Sequence, residues 1–340
     1  MLRIILLSLF CLFTFPLTVG AADAPHSANI SKPKKESHPV YTDPQDAGPD
    51  YAIQGEYAGE ISGGKGKLGV QVIGLGDGAF TAVIHAGGLP GDGWDGKPRT
   101  VLEGHRDGAN TTFDGAGYKA SIANGVFTGK TPSGDDFQLK KIERVSPDEG
   151  AKPPAGAIVL FDGTSVDAFN VNGKPGEMDD RHLLKQGTKT RQKFQDFRLH
   201  VEFMLPFKPF GRGQDRGNSG IYIQDRYEIQ VLDTFGHPEE FNGCASTYRQ
   251  TAPKVNMCYP PLRWQTYDID FTAPKWDADG KKTANAHVTV RHNGIVVQDN
   301  TELPTKTGAG AKEGPEAGPI QLQEHHNPVF FRNIWIVEKK

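Results

Sequence analysis

Asn218-Ser219-Gly220-Ile221-Tyr222-Ile223-Gln224, followed after two residues by Tyr227-Glu228-Ile229-Gln230-Val231-Leu232-Asp233, decides how this chain is read. Both segments alternate. Ile221 and Ile223 interleave with Tyr222 and Gln224, and Ile229 and Val231 with Glu228 and Gln230. Successive strand side chains point to opposite faces, so each segment has one apolar and one polar face. A two-residue turn at Asp225-Arg226 pairs Ile223 with Glu228 and mixes the faces. A three-residue turn from Asp225 to Tyr227 pairs Gln224 with Glu228 and Tyr222 with Gln230, and keeps the apolar residues together. The expected hairpin therefore shows Asn218, Tyr222, Gln224, Glu228 and Gln230 on its solvent face.

Amide, phenol and carboxylate side chains on one sheet face suit a hydroxyl-rich ligand such as a sugar. The wet face of an antiparallel sheet is polar in any case, so the hairpin alone leaves both readings open.

The amino-terminal residues set the compartment. Arg3 precedes the apolar run Ile4-Ile5-Leu6-Leu7-Ser8-Leu9-Phe10-Cys11-Leu12-Phe13, and small residues Val19-Gly20-Ala21 follow. Residues 1–21 read as a secretory signal peptide, too short and too broken by Pro16 for a membrane span. The mature protein is expected to be secreted or periplasmic, with no stable membrane span. Residues 22–50, rich in Ser, Pro, Lys, His and Asp, lack apolar periodicity and read as a flexible leader. A net charge of -3 with no basic block excludes nucleic acid as a partner by this reading.

Abundant glycine (41 of 340 residues) and the lack of long helical patterns indicate a turn-rich, all-β chain. Residues 51–145 carry short strands split by turns such as Gly76-Asp77-Gly78 and Ser133-Gly134-Asp135, a small antiparallel β accessory domain. His85, Trp94 and His105 either line a sugar-binding surface there or are scattered loop residues. A Pro/Gly-rich linker spans 146–157. Longer alternating strands then fill 158–340, among them Phe197-Arg198-Leu199-His200-Val201-Glu202-Phe203 and a hairpin at Asn293-Gly294. At least eight such strands suggest a two-sheet sandwich. Cys11 leaves with the signal. Cys244 and Cys258 then form an even pair in an oxidising compartment, so a disulfide worth roughly 3 kcal/mol is expected.

Phe161-Asp162-Gly163-Thr164, the hairpin segments, Gly318-Pro319-Ile320-Gln321-Leu322-Gln323-Glu324-His325 and Val329-Phe330-Phe331-Arg332-Asn333-Ile334 stand in a characteristic order. With this set the chain resembles the 3-keto-disaccharide hydrolase domain family. The resemblance implies a concanavalin A-like jelly-roll sandwich that hydrolyses glycosides oxidised to a ketone at C3. His326 departs from it, since the family more often has Gly there.

A C3 ketone acidifies the C2 proton. Its removal gives an enolate that expels the C1 oxygen, and water then adds back. The route needs a base, an enolate stabiliser and an acid for the leaving group. Glu228 is the candidate base, Arg332 or a metal the stabiliser and His325 the acid. Asn218, Tyr222, Gln224, Gln230 and Gln323 would hold hydroxyls. Asp233 offers a carboxylate on the opposite parity from Glu228 unless the strand bulges or ends there. Each has a plain alternative: Arg332 as a structural ion pair, Gln323 as an outward strand residue, His325 as a solvated turn. No cofactor is required. A divalent metal such as calcium has one candidate loop, Asp277-Ala278-Asp279-Gly280, which a polar turn explains equally. A conventional glucanase would need a second carboxyl near Glu228, where the strand has Gln230 and Leu232. A non-catalytic lectin-like sandwich would need only stacking and hydrogen bonds.

Overall fold

Two-residue turns organise the first half of the molecule. In the computed structural model, which describes residues 38–339, Asp77-Gly78 and Asn124-Gly125 take the paired left-handed conformations (φ 52°, 72° and 50°, 72°) that match the twist of hairpin strands. They belong to eight antiparallel strands: β1 (Gly55–Ile61), β2 (Lys67–Gly76), β3 (Ala79–Ala86), β4 (Thr100–Asp107), β5 (Asn110–Gly115), β6 (Tyr118–Ala123), β7 (Val126–Lys130) and β8 (Asp136–Ile142). Strand β8 pairs back onto β1, so the sheet closes into a barrel with no free edge. Tyr57, Phe80, Phe113, Phe127 and Phe137 fill its interior.

Two antiparallel sheets facing one another across a common core make up the rest. One has six strands in the order β11 (Lys174–Pro175), β10 (Phe169–Val171), β13 (Thr188–Thr190), β22 (Gln321–Leu322), β15 (Ser219–Ile223) and β16 (Tyr227–Val231). The other runs β12 (Leu184–Lys185), β23 (Phe330–Glu338), β14 (Phe197–Met204), β17 (Trp264–Thr272), β20 (Ala286–His292) and β21 (Ile295–Leu303), with β9 (Ile158–Phe161) also on β23. A separate pair, β18 (Lys275–Trp276) and β19 (Lys282–Ala284), lies outside both. Ile221, Ile229 and Leu322 from the first sheet meet Phe203, Tyr267 and Phe331 from the second in one core. The Asn293-Gly294 hairpin forms as expected, joining β20 to β21 with φ values of 50° and 81°.

Barrel and sandwich are not loosely tethered. Residues from His38 onward cluster as one compact unit. Ile73 and Val83, on the outside of the barrel, belong to the sandwich core. Arg216, 2 % exposed, pairs with Asp233 at 2.6 Å and donates to the Gly74 carbonyl of the barrel at 3.3 Å. Arg144 forks onto Glu56 (2.7 and 2.5 Å) while its guanidinium lies 5.0 Å from the Tyr259 ring.

The expected linker, 146–157, is held to the outer face of the second sheet. Glu149 pairs with Arg332 at 2.7 Å, the Gly150 N–H donates to Glu202 at 2.6 Å, and Asn333 donates to the Ala151 carbonyl. The expected leader is ordered over its last part. Tyr41 exchanges two backbone hydrogen bonds with Phe207. The helix Gly48–Ile53 presents Asp50 to Arg106 at 2.9 Å and to the Gly78 N–H. Aromatic contacts of Tyr41 and Tyr51 with Phe207 compensate for the scarcity of aliphatic residues. Residues 1–37, including the expected signal peptide, lie outside the described residues. Among the described residues, no helix is long and apolar enough to cross a membrane.

No disulfide links Cys244 and Cys258 in the structure. Both are buried thiols. Cys244 Sγ contacts the Tyr267 hydroxyl at 3.1 Å and Cys258 Sγ the Leu232 carbonyl at 3.6 Å, so each has a hydrogen-bond partner without a bridge.

Candidate active site

The hairpin keeps its expected parity but not its register. Tyr222 stands opposite Glu228, Gly220 opposite Gln230, and Ile223 opposite Tyr227. The turn is Gln224-Asp225-Arg226, with Gln224 and Asp225 at φ 54° and 61° and the Arg226 N–H donating to the Ile223 carbonyl. Gln224 therefore leaves the strand face. Its amide donates to the Phe194 carbonyl at 2.9 Å and it accepts from Arg226, which fastens the turn to its surroundings.

Asn218, Tyr222, Glu228, Gln230 and Gln323 converge on a cavity of about 520 Å³, with His325 at its exposed rim. Tyr222, Glu228 and Gln230 are 3 %, 2 % and 1 % exposed, so the expected open face is instead a covered floor. Two loops cover it. The first carries Tyr248, whose N–H donates to the Glu228 carbonyl. The second carries Thr307, whose hydroxyl accepts the Glu228 N–H at 2.5 Å, and Gly308 beside Glu228 Oε2 and the Tyr222 hydroxyl.

Burial pushes the Glu228 carboxyl up to about 7, with a hydrogen bond from the Tyr222 hydroxyl (2.7 Å) pulling the other way. Burial and the neighbouring carboxylate also push the Tyr222 phenol well above its ordinary value. Asn218 Oδ1 and Gln323 Oε1 are buried with no partner among the described residues. Buried acceptors of this kind ordinarily find a donor, and ligand hydroxyls would supply one. Tyr248, Gln214, Asp215 and Asn327 complete the wall. They come from loops without periodicity, so alternation could not find them. The aromatic Tyr248 between Thr247 and Arg249 was the only local hint.

Gly220 has a steric reason. A Cβ there would lie 2.5 Å from Glu228 Oε1 and 2.9 Å from Gln323 Oε1. Gly220→Ala is expected to leave the protein folded and cut turnover by ~10²-fold, the scale of a 1 Å displacement in a reactive geometry. Steady-state kinetics beside a circular dichroism melt would check it. Retained turnover would show that the Glu228 position is not critical.

Besides Gln224, two sequence candidates lie elsewhere. Arg332 is on β23 in the other sheet, paired with Glu202 and Glu149 at 2.7 Å each and stacked 3.9 Å from the Trp264 ring. Burial opposes the charge on Glu202, but hydrogen bonds from His200, Asn333, the Gly150 N–H and Arg332 outweigh it and hold its pKa at about 2. This network fastens the 146–157 segment. Asp233 ends the hairpin in the ion pair with Arg216, facing the barrel rather than the cavity. Asp277 accepts the N–H groups of Asp279 and Lys281, so it caps its own turn. Among the described residues no group of three or more His, Cys, Asp or Glu could hold a metal. In the barrel, His85 is buried against Gln71 and Arg99 lies 4.9 Å from the Trp94 ring.

A family model described as the 3-keto-alpha-glucoside-1,2-lyase-like domain matches residues 156–337, over half of the chain and all of the cavity-lining residues. The chain belongs to this family. A solved structure from Parabacteroides distasonis ATCC 8503, provisionally assigned as a glycosyl hydrolase, is 37 % identical, covering 55 % of this chain and 85 % of that one, with a TM-score of 0.50. A second structure from the same organism, with the same provisional assignment, is 18 % identical over 58 % of this chain and 99 % of that one, with a TM-score of 0.41. No curated protein matches the chain. The 3-keto-alpha-glucoside-1,2-lyase-like region begins inside the segment docked on the second sheet and leaves the barrel outside it.

Proposed function

We propose that the protein is an exported, carbohydrate-active hydrolase that cleaves 3-keto-glycosides by elimination across C1–C2 followed by hydration. The observation that carries this is the lone buried carboxylate of Glu228 at the cavity floor, its pKa pushed up by burial and amide side chains around it. The family's description as a 1,2-lyase acting on 3-keto-alpha-glucosides supports the reaction class, and the provisional assignment of the Parabacteroides relative supports the substrate class. The two facing antiparallel sheets suit the jelly-roll arrangement that the resemblance implies.

Glu228 takes the C2 proton, and the C–H electron pair forms the enolate with charge on the C3 oxygen. That charge returns to make the C1=C2 bond as the C1–O bond breaks. His325, at the rim, hands a proton to the departing oxygen. The Glu228 carboxyl then returns its proton to C2 while water adds hydroxyl to C1 and gives its remaining proton to His325, so both groups are reset. With Arg332 in the other sheet, the Gln323 amide and the Tyr248 hydroxyl are the donors on the wall for the enolate oxygen.

Release of the leaving group should be assayed from a 3-keto-glucoside and its parent glucoside side by side. Cleavage of the keto substrate alone is expected. Equal cleavage of both would favour a conventional glycosidase, for which Asp215 at the cavity mouth would be the second carboxylate. That side chain is 74 % exposed and 3.1 Å from Lys208. Binding without cleavage of either would favour a lectin-like sandwich.

The pH profile follows from the same carboxylate. A base must be ionised, so kcat/KM is expected to fall as pH drops through about 7. Tyr222→Phe removes the hydrogen bond that favours ionisation, so its profile should shift to higher pH. A profile unmoved in that variant would disconnect Glu228 from the observed titration.

A further inference from the structure

A glycine-rich motif, Gly87-Gly88-Leu89-Pro90-Gly91-Asp92-Gly93-Trp94-Asp95-Gly96, joins β3 to β4 of the barrel and has no part in the Glu228 cavity. Its glycines let the loop close on itself and pack against the sandwich. A Cβ on Gly88 would lie 2.1 Å from the Asp92 carbonyl oxygen, and one on Gly91 2.7 Å from Met257. Arg144 ties the loop down by donating to the Pro90 carbonyl at 2.7 Å. A loop held in this way presents Trp94 in one position. The Arg99 guanidinium lies 4.9 Å from its ring and the buried His85 ring 5.2 Å from it.

Trp94 lines a groove of about 480 Å³ between barrel and sandwich. Val83 and Val101, opposite one another on β3 and β4, give the groove apolar surface, and Val101 is left 55 % exposed. Pro98 adds to it from the barrel and Pro238 from the sandwich. The charges of the groove are answered within the protein: Lys97 pairs with Asp95 at 2.9 Å and Arg99 with Glu239 at 2.5 Å. Two donors are left over. Trp94 Nε1–H and Arg99 Nε–H are buried with no partner among the described residues. Buried donors ordinarily find an acceptor, and the hydroxyl oxygens of a sugar would supply one. Apolar surface, paired charges and spare donors together match a pyranose, which has C–H faces and a rim of hydroxyls.

The groove shares a loop with the Glu228 cavity. Gly236, Pro238 and Glu239 line the groove. Three residues further on, the Asn242 carbonyl accepts from Gln214 and Gln230 of the cavity wall at 3.1 and 3.4 Å. Three residues span at most ~11 Å, and the Gly243 N–H folds the loop tighter by donating to the Glu240 carbonyl. Phe241, between the two sites in sequence, is 52 % exposed. Groove and cavity therefore lie within the length of one short oligosaccharide.

We propose that this groove is a second carbohydrate site, which holds a neutral oligo- or polysaccharide against Trp94 beside the Glu228 cavity. The proposal takes from the functional reading only that the ligand is a carbohydrate, and is independent of the elimination chemistry. His105, near the far end of β4, takes no part in it.

The test is native affinity electrophoresis of the full-length Glu228→Gln protein, chosen so that binding is read without turnover, in gels containing soluble starch, dextran or laminarin. Retardation is expected in at least one. In that gel Trp94→Ala should weaken binding by roughly 30-fold, the scale of truncating an aromatic anchor. Val101→Glu probes the same surface from a side chain already exposed, so it remains informative if the Trp94 variant folds poorly. It should lose the retardation while melting temperature, and turnover of methyl 3-keto-glucoside in the protein that keeps Glu228, stay unchanged. No retardation in any gel would overturn the site, as would retardation that survives both substitutions. Retardation lost in both groove variants, from a protein that does not turn over the keto-glucoside, would sustain this site while sinking the elimination reading.

Discussion

Glu228→Gln is expected to lower turnover of a 3-keto-glucoside by ~10²–10⁴, the usual contribution of a positioned general base. The side chain keeps its size and its contact with the Tyr222 hydroxyl, so the loss should appear in kcat with the cavity intact. A second effect has the opposite sign. Because burial raises the Glu228 pKa from 4.5 to about 7, the folded state binds the proton more tightly than the unfolded chain. Stability therefore falls as pH rises through that window, by on the order of 3 kcal/mol in all. Above pH 8 the amide variant should melt at a higher temperature than wild type, and at pH 4 the difference should vanish. Lost activity with gained alkaline stability is a signature that a merely structural carboxylate would not give. A variant with near wild-type turnover would remove Glu228 from the chemistry.

The second large effect concerns the joint between the two halves. Asp233→Ala strips the partner from Arg216, a guanidinium only 2 % exposed that also reaches the Gly74 carbonyl and Gln54. Breaking a buried pair by removing one member typically costs ~3–5 kcal/mol, because the remaining charge stays uncompensated. The expected result is a marked drop in melting temperature. The double variant Asp233→Ala with Arg216→Met should recover part of the loss, since it removes the stranded charge as well. Chemical denaturation of the four proteins of this cycle gives the coupling directly. A single variant as stable as wild type would mean that the joint does not depend on this pair. The same ion pair explains why the sandwich should not be expected to thrive alone. Without the barrel, Arg216 would lose Gly74 and Gln54, and the surface that meets Ile73 and Val83 would face water.

The face that Tyr222, Glu228 and Gln230 occupy was legible because alternation has a period of two and survives any shift of the partner strand by two residues, whereas Gln224, read onto the same face, went into the turn. The register was not legible. It depends on Gln224 and Asp225 entering the left-handed region, which non-glycine residues do without a strong sequence signal. Arg332 shows a different limit. The pattern around it, with Phe331 fully buried, marks a strand, but nothing in a strand's own residues names the sheet it joins. Its pairing with β14 and β9 carried the guanidinium away from Glu228. Tyr248 and Thr307 were out of reach because loops meet the cavity through contacts between distant segments. The ordered stretch from His38 to Asp50 was misread for a related reason. Composition reports how much a segment could bury on its own, whereas Tyr41 and Asp50 are held by Phe207 and Arg106 from elsewhere.

The pairing of β9 with β23 sets the order in which the molecule can mature. These strands open and close the sandwich, some 170 positions apart, so that sheet cannot be completed until the last of its strands has been made. The barrel, whose strands pair with their neighbours in sequence except where β8 closes onto β1, needs nothing made after residue 142 and is free to close first. Until the sandwich arrives it would carry Ile73 and Val83 uncovered. The vulnerable species in production is therefore a finished barrel trailing an unfinished partner, and a chain stopped short of β23 would remain in that sticky state.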